Sequence, residues 1–190
     1  MKIKVAETAV FFFGVKRAVD KVYQLIEEGT SPIYTLGPII HNEEVVADLA
    51  ARGVRVISED MIPDLHQGTV VIRSHGVGKH IYQLLEKTDL DYIDVTCPFV
   101  LKIHRIVERE STAGKQILIF GDPNHPEVKG ICGWCNGPYT VLDSREEAEN
   151  FVPPDGKEIC IVAQTTFNYN KFKELVEILR KKRYDNNVLN

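Results

Sequence analysis

The sequence predicts an α/β fold in which two similar domains each contain a parallel β-sheet flanked by helices. Short runs of β-branched residues alternate with stretches of helical period along the chain, a pattern typical of parallel sheets covered by helices. The two halves proceed in the same order of strand, turn and helix. A content of 44% hydrophobic and 26% charged residues is ordinary for folded domains and sufficient for a buried core.

Eight segments have the composition of strands. They are KIKVA (2–6), PIYT (32–35), VRVI (54–57), TVVIR (69–73), DYIDV (91–95), QILIF (116–120), YTVL (139–142) and EICIVA (158–163). Helices are predicted between them where apolar residues recur at spacings of three and four. The predicted helices cover residues 14–28, 42–52, 79–87, 98–111, 144–151 and 168–182. Gly53 stands where a left-handed cap would end the second of them, and a further helix is expected to start at Pro126.

A domain boundary is predicted within DVTCPFV (94–100), where a strand stops at Cys97 and Pro98 can take the first helical position. The two predicted domains are therefore 1–96 and 97–190. No low-complexity linker separates them, so we expect the domains to pack closely.

Charge and composition disfavour several classes of partner. The formal net charge of −4 and the isoelectric point near 5.9 argue against nucleic acid or an anionic membrane as the main partner, because either requires a cationic face. No apolar run approaches the roughly 20 residues that span a bilayer. The N-terminus lacks the features of a signal peptide, so a cytoplasmic location is expected. Four cysteines are too few for a disulfide framework.

Three strand-to-helix turns carry a histidine, and together they predict an anion site. His41 lies in GPIIHNEEVV, His75 in VIRSHGVGK and His125 in FGDPNHPEVKG. Ligands of parallel sheets collect at the carboxyl ends of strands, where helix N-termini attract anions. Ser74 adds a hydroxyl group, and Glu127 is a candidate proton donor. For each residue alone, a solvated or helix-capping role remains open.

Five motifs carry a resemblance to a known family. IIHNEEVV, SHGV, DVTCPFV, NHPEVKG and AQTT occur here in the order and at the spacing of the 4-hydroxy-3-methylbut-2-enyl diphosphate reductases, the IspH or LytB family. The resemblance covers all 190 residues. It implies three α/β domains with pseudo-threefold symmetry, in which three cysteines hold a 4Fe-4S cluster. It also implies reductive dehydroxylation of the allylic diphosphate to isopentenyl and dimethylallyl diphosphate, with ferredoxin or flavodoxin as the electron donor.

The resemblance assigns expected roles to individual residues. Glu127 would relay protons, and Cys97 would ligate the cluster. Thr165, in AQTT, would help to hold the substrate hydroxyl group. The residues expected to bind the diphosphate are His41, Ser74, His75 and His125.

The chain departs from the family pattern at the position of the first cluster cysteine. The family has Gly-Phe-Cys before xGVxRA, whereas Val10 and Phe12 stand at the glycine and cysteine positions here. Phenylalanine cannot ligate iron. The resemblance places the third cysteine beyond VLN, in a third domain, and residues 1–13 would join the sheet of that domain. We therefore expect the cluster to be absent or incomplete.

Two further cysteines have the spacing of a metal or redox pair. Cys132 and Cys135 lie in CGWC, but one isolated pair is a weak signal, and the family does not use this region for ligation. A structural role is favoured for both. Cys160, in EICIVA, is predicted to be a core residue.

Three hypotheses about function follow. The chain is the N-terminal part of a diphosphate reductase and inactive alone, or a catalytically dead module that binds a diphosphate or a pyrophosphate-like anion. Alternatively, it is a subunit that completes a site by association. Self-association as a homo-oligomer would be driven by the apolar run Phe11 to Phe13.

Overall fold

The computed structural model describes residues 13–40, 42–154 and 156–185. They divide into two compact units. Unit 1 comprises the residues up to Gly76 together with His80–Pro98, and unit 2 comprises Val77–Lys79 together with the residues from Phe99 onwards. The predicted strand 2–6, Phe12 and His41 lie outside the described residues. The division into domains 1–96 and 97–190 stays a prediction, as does the membership of residues 1–13 in another sheet.

Unit 1 is built around a four-stranded parallel sheet in the order β2-β1-β3-β4. Its elements are α1 (Phe13–Glu27), β1 (Ile33–Leu36), α2 (Glu43–Ala51), β2 (Val54–Ile57), a 3₁₀ helix (Glu59–Asp64), β3 (Thr69–Ile72), α3 (Lys79–Leu85, of which Lys79 belongs to unit 2) and β4 (Asp91–Asp94). The two central strands, β1 and β3, are buried along their whole length, whereas the two middle residues of the edge strand β2 are exposed.

The predicted apolar face of α1 packs on this sheet. Ala18 and Val22 are fully buried in one cluster with Val71 of β3. Gly53 follows α2 with φ +91°, which confirms the predicted left-handed residue after that helix. Hydrophobic spacing in the sequence therefore correctly identifies the buried side of the helix.

Unit 2 contains a three-stranded parallel sheet in the order β6-β5-β7. Its elements are α4 (Pro98–Thr112), β5 (Gln116–Phe120), α5 (Pro126–Cys132), β6 (Tyr139–Leu142), α6 (Arg145–Asn150), β7 (Ile159–Ala163) and α7 (Tyr169–Asp185). Pro98, the first residue of α4, belongs to unit 1.

The central strand β5 separates two cores because successive side chains point to opposite faces of a sheet. Ile117 and Ile119 pack with residues of α4 and α5. Leu118 and Phe120 pack with residues of α6 and α7. Every residue of β5 is buried, as expected for a central parallel strand covered by helices on both sides.

The predicted α/β class is confirmed, and every predicted strand within the described residues is present. The 3₁₀ helix at Glu59–Asp64 was not predicted, since this short segment contains Pro63 and lacks a helical apolar period. β4 ends one residue earlier than predicted, although Val95 still donates a backbone hydrogen bond to Ile72 O at 3.1 Å. Among the described residues, no helix has the length and apolar character needed to cross a membrane.

Candidate anion-binding and catalytic site

The turn after β3 presents two of the predicted residues in unit 1. Gly76 N donates to Arg73 O at 3.0 Å, which closes a turn around Ser74 and His75. Gly76 has φ +71°, a conformation that glycine adopts without strain. Ser74 is only 4% exposed, and His75 is partly buried. The turn therefore holds both side chains at the carboxyl end of a central strand.

Cys97 lies beside this turn. Its N–H donates to Ser74 O at 2.9 Å, and Pro98 begins α4 immediately after it. A Cβ added to Gly14 would lie 3.0 Å from Cys97 Sγ, so the sulfur packs against the first turn of α1. Phe12 precedes Gly14 by two residues in the chain.

A polar network supports the segment that leads into Cys97. Asp94 Oδ1 accepts from Thr96 N at 2.8 Å, and Arg17 Nη2 donates to Thr96 O at 3.0 Å. Tyr82 Oη donates to Asp94 Oδ2 at 2.9 Å. Burial, together with the Asp94 carboxylate, raises the pKa of Tyr82. The sequence interpretation missed Tyr82, because its position in a helix carries no signal of this contact.

In unit 2, His125 caps α5. Its Nδ1 accepts from Glu127 N at 3.1 Å, and Pro126 takes the first helical position as predicted. When the imidazole is neutral, an accepting Nδ1 places the proton on Nε2. The capping role that was left open for this histidine is thus present, and it orients the ring.

Glu127 and Thr165 form the best-defined polar contact of the candidate site. Glu127 is 2% exposed. Thr165 N donates to Glu127 Oε1 at 2.6 Å, and Thr165 Oγ1 donates to Glu127 Oε2 at 2.8 Å. β5 and β7 are adjacent, so the turns that follow them meet at one edge of the sheet. A buried carboxylate is costly unless its oxygens are hydrogen-bonded, and Thr165 satisfies both of them.

Gln164 fixes the two turns to each other. Its N–H donates to Phe120 O at 2.8 Å, and its Oε1 accepts from Asp122 N at 3.3 Å. A Cβ on Gly121 would lie 2.7 Å from Val128 Cγ2, so a side chain at that position would disturb the packing of α5. Gln164 was not singled out from the sequence, although it stands next to Thr165 in AQTT.

The CGWC segment packs as part of the core. Cys132 ends α5, and the Trp134 ring stacks on His104 with centroids 5.2 Å apart. Burial raises the pKa of Cys132, and it raises the pKa of Cys135 to about 12. Because the thiolate is the metal ligand and the nucleophile, these shifts favour a structural role for both cysteines. Cys160 packs against the same core.

Trp134 also contacts the short segment Val77–Lys79 within unit 2. Its Nε1 donates to Val77 O at 2.8 Å, and Lys79 N donates to Gly133 O at 3.2 Å. Lys79 Nζ forms a 2.5 Å ion pair with Glu108. The sequence interpretation did not find this contact, since the tryptophan and its acceptor are separated by 57 positions.

We expect Cys132 and Cys135 to react with iodoacetamide near pH 8 at least about tenfold more slowly than free cysteine, because protonated thiols are poor nucleophiles. Peptide mass spectrometry after timed labelling measures both sites. Labelling in denaturant is the control and should proceed at the ordinary rate. Rapid modification of the folded protein would contradict the buried, structural assignment.

The described residues do not fit the cluster that the resemblance implies. Within residues 13–40, 42–154 and 156–185, no group of three or more His, Cys, Asp or Glu side chains is arranged to hold a metal ion. An iron–sulfur cluster of this type is held by several thiolates. Cys97 is the thiol at a motif position, and Phe12 offers no donor atom.

The predicted residues thus form two local groups in the structure, one in each unit. Ser74 and Cys97 are joined by a hydrogen bond in unit 1, and Glu127 contacts both His125 and Thr165 in unit 2. A single site shared by all three turn histidines remains a prediction, and His41 lies outside the described residues.

The match to a family model identifies the chain's relatives. The model of the LytB protein matches residues 3–190. This chain belongs to the LytB family. The LytB-family chain is 47% identical over 187 residues to the 4-hydroxy-3-methylbut-2-enyl diphosphate reductase of Thermoanaerobacter sp. strain X514, covering 97% of this chain. It spans 64% of the length of that relative. Identity to the reductase of Alkaliphilus oremlandii is 40% over 190 residues, which is 100% of this chain and 66% of the relative.

Solved structures show the same fold. The diphosphate reductase of Plasmodium falciparum superposes with a TM-score of 0.84 at 27% identity, over 93% of the LytB-family chain and 55% of the other. A second solved 4-hydroxy-3-methylbut-2-enyl diphosphate reductase, described as the terminal enzyme of the non-mevalonate pathway, superposes with a TM-score of 0.77. It is 39% identical, over 94% of this chain and 63% of the other.

Proposed function

We propose that this chain carries diphosphate-binding and proton-handling residues of a 4-hydroxy-3-methylbut-2-enyl diphosphate reductase, and that by itself it binds the allylic diphosphate without reducing it. The observation that carries the proposal is the buried Glu127 carboxylate, which accepts two hydrogen bonds from Thr165 beside the His125 turn. The names of the relatives support this substrate class.

The diphosphate end of the substrate requires several hydrogen-bond donors. Ser74 offers a hydroxyl group, and a neutral His125 carries its proton on Nε2 because Nδ1 accepts from the backbone. His75 follows Ser74 in the same turn. In the proposed complex these donors, with His41, contact the phosphate oxygens and offset their negative charge.

The hydroxyl end requires proton transfer. Loss of an allylic hydroxyl group as water consumes one proton at the leaving oxygen, one proton at carbon and two electrons. Glu127 is assigned the transfer of a proton to the leaving oxygen, for which its carboxyl group must first take up a proton. Thr165 orients the carboxyl group through Oε1 and Oε2, and once Oε2 carries the proton, the Thr165 hydroxyl group accepts from it and donates to the leaving oxygen.

The electrons are the part of the reaction that this chain does not support by itself. In the reductases that the sequence resembles, a 4Fe-4S cluster held by cysteines, one of which Cys97 matches, would supply these electrons. Phe12 removes one thiolate ligand, and the described residues do not supply a replacement set. Binding is therefore retained in the proposal, whereas reduction is not.

Isothermal titration calorimetry with pyrophosphate, and then with the allylic diphosphate, tests this function. We expect binding of both, and we expect His75→Ala and His125→Ala each to weaken it by about tenfold, as for the loss of one charge-assisted hydrogen bond. His66→Ala is the matched control, because this exposed residue precedes the opposite, amino end of β3. Equal affinities for all four proteins, or no binding by the unmodified chain, would refute the assignment.

An activity assay tests the second half of the proposal. The chain is incubated anaerobically with the allylic diphosphate and reduced ferredoxin or flavodoxin. The two products, isopentenyl and dimethylallyl diphosphate, are then quantified. We expect no turnover above the rate without protein. Formation of isopentenyl or dimethylallyl diphosphate that is lost in Glu127→Gln would show that this chain alone is a reductase.

A further inference from the structure

We propose that Arg73 is an additional anion-contacting residue, whose guanidinium group pairs with a phosphate group bound at the carboxyl ends of β1 and β3. The proposal rests on the anion-binding function proposed above and adds a cationic residue to that site. Arg73 immediately precedes the SHGV motif and was not among the candidate residues. It would supply a permanent positive charge beside the donors Ser74 and His75.

The position of the side chain follows from the sheet. Arg73 comes directly after β3, and Gly37 comes directly after β1, which is paired with β3 in parallel through Leu36 and Ile72. A Cβ on Gly37 would overlap Nη1 of Arg73 and would lie 3.1 Å from Cζ. The guanidinium group therefore covers the backbone of Gly37 and bridges the carboxyl ends of two adjacent strands.

The structure shows no protein partner for this charge within the described residues. Nε of Arg73 is buried and has no hydrogen-bond partner there, and no described carboxylate forms an ion pair with it. Burial lowers the pKa of Arg73, with no neighbouring carboxylate that opposes the shift. Arg73 as a whole is half-buried, and a partly desolvated charge without an ionic partner is costly, so a structural salt bridge within the described residues does not explain this arginine.

A phosphate group has the chemistry to complete the arrangement. The planar guanidinium fork donates two parallel hydrogen bonds to a pair of phosphate oxygens. Ser74, beside it in the chain, is buried and has a hydroxyl donor, and Gly37, which lacks a side chain and adopts φ +72°, leaves room for the guanidinium group itself. Inorganic phosphate and the terminal phosphate of a diphosphate share this chemistry, and titration with each distinguishes them.

Two measurements on Arg73→Met and Arg73→Lys test the proposal. In calorimetry with pyrophosphate and with inorganic phosphate, we expect the methionine variant to bind pyrophosphate about tenfold more weakly and the lysine variant to recover part of the loss. In chemical unfolding without ligand, we expect the methionine variant to be at least as stable as the unmodified chain, because an unpaired charge has been removed. Arg55→Met is the matched control, since Arg55 is exposed on the edge strand β2.

The outcomes separate this inference from the proposed function. A methionine variant that is less stable and binds pyrophosphate normally would show that Arg73 is a structural residue, which overturns the inference and leaves the anion site intact. If the unmodified chain bound neither anion, both the Arg73 inference and the proposed function would be overturned. Tighter binding of inorganic phosphate than of pyrophosphate would assign the arginine to a single phosphate group and would contradict the diphosphate assignment of the turn.

Discussion

Anaerobic reconstitution with iron and sulfide is expected to leave this chain with far less than stoichiometric metal and without the visible absorbance of a 4Fe-4S cluster. Phe12 stands where the LytB pattern has the first cysteine, and a phenyl ring has no lone pair to donate. Cys97 is the thiol at a motif position, and the described residues contain no group of three or more candidate metal ligands. Clusters of this type are held by several thiolates, so we expect one tethered by a single thiolate to be lost during gel filtration.

The controls for this experiment are Phe12→Cys and the double variant Cys132→Ser with Cys135→Ser. Phe12→Cys should increase the iron retained, because it restores a thiolate two residues before Gly14, which packs against Cys97. The double variant should not change the iron content, since both thiols have raised pKa values in a packed core. Stoichiometric iron and sulfide that disappear in the double variant would instead make CGWC a metal site.

Replacement of Glu127 by alanine is expected to lower the free energy of unfolding by about 2–3 kcal/mol. The carboxylate is 2% exposed and accepts hydrogen bonds of 2.6 Å and 2.8 Å from Thr165. The substitution removes both hydrogen bonds between Glu127 and Thr165, and it leaves a cavity beside α5. Chemical unfolding monitored by circular dichroism measures the difference.

Two further variants separate the contributions to this loss. Thr165→Val deletes the Oγ1 donor and retains the backbone N–H, so we expect it to cost about 1–2 kcal/mol. In the double variant of Glu127→Ala and Thr165→Val, the losses should not add, because the two residues contact each other. A fully additive double variant, or a Glu127→Ala protein as stable as the unmodified chain, would show that the carboxylate is not held as the structure indicates.

The sequence alone determined the fold class and the place of most elements. β-branched runs and apolar spacing depend on neighbouring residues in the chain, so β5 and β6 could be predicted with their observed bounds. Turn residues are equally local: Pro126 at the start of α5 and Gly53 after α2 were predicted from residue type. The histidine turns follow from the same local pattern, and their common site remains a prediction.

The tertiary structure decided which of these turns meet. Glu127 and Thr165 are 38 positions apart and contact each other because β5 pairs with β7. Arg73 reaches Gly37 because β3 pairs with β1. The order of strands in a sheet arises from long-range packing, and the local periodicity that predicts each strand contains no information about its neighbours. Burial has the same origin, so the raised pKa of Cys135 was visible only in the folded chain.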